Sequence, residues 1–224
     1  MHFITPRRLD RADYAVRREL AAHGFYDRHV HAVDTRLVPF GFAHGWQWYG
    51  STGDISIPRV SVLRLCEIWR GCYTSLRDVL RHEFAHAIAD THRGLFRSNH
   101  FADAFGAAHH WVFEWEYDPE HHISEYAATA PAEDFAENFM IYVRHGGRLP
   151  PWHATRPIQR KWRFIARLSD AISRGLRRTV LRTYLSRRIV SEPEAGAGET
   201  SRAAFPALRA AGRQPPQGIA AAGA

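Results

Sequence analysis

Lysine is nearly missing from this chain: of 30 cationic residues one is Lys and 29 are Arg, the bias a GC-rich genome imposes. Cysteine is almost as scarce. Cys66 and Cys72 are the only two, too few for a disulfide framework and spaced unlike a zinc ribbon, so a reduced, cytosolic chain is expected. Methionine occurs at Met1 and Met140 alone. No run of about 18 apolar residues exists, which excludes a membrane-crossing helix. The first twenty residues are charged throughout and have no apolar stretch of the kind a secretory signal needs. Internal repeats are absent as well.

Enough apolar material is present to build a core: 45% of the 224 residues are hydrophobic. The net charge of +7 is concentrated, because residues 156–190 carry eleven Lys or Arg against one Asp and more than account for it. The periodicity predicts a short helix over 12–24, ended by Gly24, then three strands between 29 and 60. Pro58 cannot donate a main-chain N–H, so the third strand is expected at a sheet edge. A helix over 75–91 follows, with Ser75 and Asp78 as a capping box. A further helix starting near Ser98 carries Phe101, Phe105 and Trp111. Another runs from Pro131 to His145 and stops at Gly146 and Gly147. Trp162, Ile165, Leu168, Ile172, Leu176 and Val180 recur every three or four residues along a basic amphipathic helix. Strands followed by helices predict an α+β fold. Residues 1–150 form its main domain, 151–190 the basic segment, and 191–224, rich in Ala, Gly and Pro, a disordered tail.

The chemistry centres on HEFAH, residues 82–86. On a helix, His82 and His86 share one face and can offer nitrogens to one ion, while Glu83 stands beside it as a general base. Zinc in a hydrolase needs a third protein ligand and keeps one position for water. Three residues compete for that role. His92 has the spacing of HExxHxxGxxH, but Ala89 replaces the glycine that turns the chain and no Met-turn follows. His100 has the place of the late histidine in DNA-repair proteases of the SprT type, but Phe101 stands where they have glycine. Glu133 is favoured. It sits in the first turn of a helix, with Glu137 one turn on, where it can accept a hydrogen bond from a ligating imidazole and fix its tautomer.

Three blocks in order, HEFAHAIAD, FADAFG and EYAATAPAEDFAENF, resemble the gluzincin metallopeptidases. The likeness is to bacterial zinc-binding metallopeptidases and, more remotely, to the catalytic domain of anthrax lethal factor, over about residues 53–145. It implies a zincin-like fold, with a small antiparallel or mixed N-terminal sheet and an active-site helix followed by further helices. It also implies one zinc ion held by His82, His86 and Glu133, with Glu83 as base and Tyr126 as donor to the oxyanion. Glu137, where some gluzincins have Asp, would support a histidine. A peptide or protein substrate is expected to lie along the edge strand near Ile55–Val60. The basic helix leaves a nucleic-acid or anionic-membrane partner open as a competing reading. A solvated helix packing its apolar stripe on the core is preferred.

Overall fold

Thr5 and Pro6 start the first helix earlier than residue 12. The Thr5 side chain accepts a hydrogen bond from the Arg8 N–H, Pro6 takes the first helical position, and α1 runs Pro6–Ala22. In this computed structural model, residues 4–41, 44–49, 52–61, 75–112 and 116–189 are described. Cys66, Cys72 and the tail from 190 lie outside them. Leu9, Ala12, Val16 and Leu20 bury one stripe of α1.

Where the first strand was expected to begin, Asp27 instead caps a short helix, α2 (Arg28–His31), accepting from the His29 and Val30 N–H groups. A local side-chain bond to the backbone here outweighs the strand preference of the flanking residues. The sheet follows as β1 (Val33–Gly41), β2 (Gly45–Tyr49) and β3 (Thr52–Ser61). Its order is β1-β3-β2, with β1 parallel and β2 antiparallel to β3. The third strand is therefore central, not an edge. Pro58 is tolerated because β2 pairs no further along β3 than Ser56, opposite Gly45. At Pro58 the missing N–H faces no strand on that side.

Ile55 and Ile57 point from β3 into the core and cover α3 (Leu76–Thr91), whose N-terminus Ser75 caps through the Asp78 N–H. This helix is buried around most of its circumference: Leu80, Phe84, Ala87 and Ile88 have no exposure. Behind it come α4 (Arg93–Phe96) and α5 (Asn99–Phe105). Gly106, at φ 83°, ends α5, so Trp111 lies beyond the helix that was expected to carry it and is 56% exposed. Phe96, Phe101, Phe105, Phe135 and Phe164 meet mostly edge to face, with Phe96 and Phe135 centroids 4.8 Å apart. Each such ring, truncated to Ala, costs about 3–5 kcal/mol.

Two helices close the molecule. Helix α6 (Pro131–Arg144) ends as expected at Gly146 and Gly147, which have φ of 63° and 77°. Helix α7 (Arg156–Ile189) is the basic segment. Its Trp162, Ile165, Leu168 and Ile172 are buried. Ser169 Oγ donates to the His23 carbonyl, and Ser173 Oγ to that of Gly24. Gly24, at φ 73°, permits this approach, since a Cβ there would stand 2.2 Å from Ser173 Oγ. The architecture is thus mixed α and β, with a three-stranded mixed sheet and seven α-helices among the described residues. Among the described residues no helix is long and apolar enough to cross a membrane.

Candidate metal centre and active-site cleft

One helical turn separates His82 from His86 on α3, and their ring centroids are 4.9 Å apart. Packing of α6 against α3 brings the first turn of α6 over the pair. His82 Nε2 stands 3.1 Å from His86 Nε2 and 3.1 Å from Glu133 Oε2, with His86 Nε2 3.4 Å from the same oxygen. Atoms bound to zinc at 2.0–2.2 Å in a tetrahedron stand roughly 3.3–3.6 Å from one another. The residues fit such a group, and His82, His86 and Glu133 together could hold a metal ion.

A relay behind the centre sets the orientation of His82. Its Nδ1 lies 3.0 Å from Glu137 Oε1, and Ser124 Oγ donates to Glu137 Oε2 at 2.8 Å. Ser124 Oγ in turn accepts from the Ala127 N–H. With Nδ1 turned to Glu137, Nε2 is the His82 atom that faces His86 and Glu133 and that would bind an ion in place of its proton. Sequence reasoning reached Glu137 but not Ser124, whose part depends on where the loop before α6 folds.

The electrostatics suit a cation. Burial opposes a charge on His82, yet Glu133, Glu137 and Glu83 outweigh it and push the imidazole up to about 10. Burial also opposes charge on Glu133, and there His82 and His86 prevail, holding its carboxyl well below the usual carboxylate range. Three carboxylates around two imidazoles leave an excess of negative charge that a divalent ion neutralises.

The centre opens into a cavity of about 600 Å³ lined by Trp46, Glu83, His109, Tyr126 and Met140 as well as the three candidate ligands. Glu83 is 4% exposed, and its Oε1 lies 3.6 Å from His44 Nε2. Tyr126 is half exposed as a residue, but its ring centroid is 5.8 Å from that of His82. Burial of its hydroxyl, with Glu133 and Glu83 nearby, pushes its pKa above the ordinary value, so it stays a donor. His109 was not singled out by the sequence. Burial and the neighbouring His86 lower it to about 4, so it faces the cavity as a neutral ring. Two adjacent histidines in a loop, His109 and His110, carry no spacing signal that would have found it.

Two competitors for third ligand are elsewhere. His92 Nε2 lies 3.0 Å from Asp27 Oδ2, and its Nδ1 is beside the Ile88 carbonyl. His100 is exposed on α5 and does not line the cavity. The expected substrate edge also moves. Ile55 and Ser56 are paired with Trp46 and Gly45, so the strand beside the cavity is β2. Trp46 Nε1–H donates to Asp90 Oδ2 at 2.8 Å and ties that strand to the end of α3. Comparison with models of protein families, with curated proteins and with solved structures gave no match to this chain.

Proposed function

We propose that this chain is a zinc-dependent metallopeptidase of the gluzincin kind, acting on peptides or proteins in the cytosol. The observation that carries the reading is the meeting of Glu133, from a separate helix, with His82 and His86 inside a cavity that also contains Glu83 and Tyr126. When bound, zinc supplies a Lewis acid that polarises a carbonyl and makes a water acidic enough to attack at neutral pH. Glu83 stands next to the ligand pair, nearly enclosed. Its carboxylate takes the proton of the attacking water and passes it to the departing amine. The Tyr126 hydroxyl, protonated throughout, donates to the carbonyl oxygen as negative charge develops there. Neutral His109 adds no positive charge to the cavity wall. An extended peptide pairs with β2 through main-chain hydrogen bonds, lying between that strand and α3.

The test is metal analysis with a broad peptide-library digest, run on wild type beside Glu83→Gln. The variant should keep one zinc per chain and lose turnover by about 10²–10⁴-fold. Undiminished cleavage would remove Glu83 from the reaction, and a wild type free of zinc would remove the centre.

A further inference from the structure

The chain's single lysine lies in a dry place. Lys161 Nζ is 2.5 Å from Asp134 Oδ2, and the two side chains are 5% and 0% exposed. Lys161 belongs to α7, and Asp134 directly follows Glu133 in the first turn of α6. The amide of Asn138 donates to both the Oδ1 and the main-chain carbonyl of Asp134 at 2.8 Å, so this carboxylate is held from two sides. Lys161 also donates to the His121 carbonyl. Nearby, Thr155 Oγ1 donates to the Glu120 carbonyl at 2.6 Å. The segment thus fastened runs on through Ser124, which holds Glu137, to Tyr126.

One ammonium therefore grips both the turn that carries Glu133 and the segment that leads to Ser124 and Tyr126. A compact ammonium fits a pocket beside the Phe105 ring, 5.8 Å away, where a planar guanidinium would need a wider one. Stability alone does not account for the pair, because a buried ion pair is often no better than well-packed apolar residues of the same volume.

We propose that Lys161 is a positioning residue for the metal centre: through Asp134 it sets the turn that presents Glu133, and through His121 the loop that presents Glu137's partner and Tyr126. The basic helix is then part of the working site. This inference rests on the metal-centre reading given above.

The test uses the full chain with cobalt(II) as the probe, following affinity, the visible absorption bands and thermal unfolding. Lys161→Met combined with Asp134→Leu removes the pair without leaving a bare buried charge. We expect a melting temperature close to wild type, cobalt affinity weaker by about 10–100-fold, and altered bands. A folded double variant with wild-type affinity and bands overturns the inference. Should that variant fail to fold, Asp134→Asn keeps the volume and the Asn138 contact. Its cobalt affinity is expected to fall about tenfold, and an unchanged affinity overturns the inference equally. A wild-type chain that binds no cobalt overturns the centre itself and this inference with it, whereas wild-type binding with indifferent variants overturns only the role of Lys161.

Discussion

Helices α3 and α6 both give residues to the same centre, but they do so by different physics. Helix α3 supplies two imidazoles through its own periodicity: residues four apart share a face whatever surrounds the helix. Helix α6 supplies one carboxylate, whose usefulness depends on packing, on the Asp134–Lys161 pair and on the loop that carries Ser124. Local helix geometry thus places two of the three candidate ligands relative to each other. The third joins them only in the folded molecule, and lesions around it should spread further than the side chain removed.

The largest effect expected at a single metal contact is at Glu133. Glu133→Ala should cut zinc affinity by more than about a hundredfold while leaving helix content by circular dichroism unchanged, since the carboxylate pairs with His82 and His86 and is not part of the apolar core. Undiminished zinc in that variant would make α3 sufficient and end the distinction between the two helices. A smaller change is expected one turn on. Glu137→Gln keeps a carbonyl oxygen for the Nδ1–H of His82, but it removes the charge and puts an NH2 where Oε2 accepts from Ser124 Oγ, so zinc should weaken by about tenfold, measured by competition with a chelating dye. A loss as large as that of Glu133→Ala would mean that Glu137 itself reaches the ion.

The same division explains what could be read from the sequence. Ser75, Asp78 and the apolar wrapping of α3 gave its boundaries, and Pro131 with Gly146 and Gly147 gave those of α6, because caps and terminators act within a few residues. Glu133 and Glu137 were legible as a pair at helical spacing. His109, Ser124 and Lys161 were not, since each reaches the site from a loop or helix distant in sequence. Pro58 misled for a related reason: its missing N–H speaks of its own residue, whereas strand order depends on where β2 stops. Asp27 turned an expected strand into α2 by capping, a local signal that the alternating pattern of HVHAVD had obscured.

The smallest effect belongs at the far end of α3, where His92 had been a rival for the third ligand. It pairs with Asp27, and the pair joins the cap of α2 to the end of α3. Burial alone would raise the Asp27 carboxyl, but the His92 bond and the Val30 N–H prevail and lower it. A carboxylate lowered on folding contributes stability above its unfolded pKa, about 3.9, and that contribution disappears as pH falls through the folded value. Asp27→Asn keeps a capping side chain while losing the charge. Its melting temperature at pH 7 should fall by about 2–4 °C, and the gap from wild type should close as pH falls through the lowered carboxyl of the folded chain. Zinc content should not change in Asp27→Asn or in His92→Gln. Zinc lost from either variant would return His92 to the metal and take Glu133 out of the centre, since α3 with its own C-terminus would then supply every ligand.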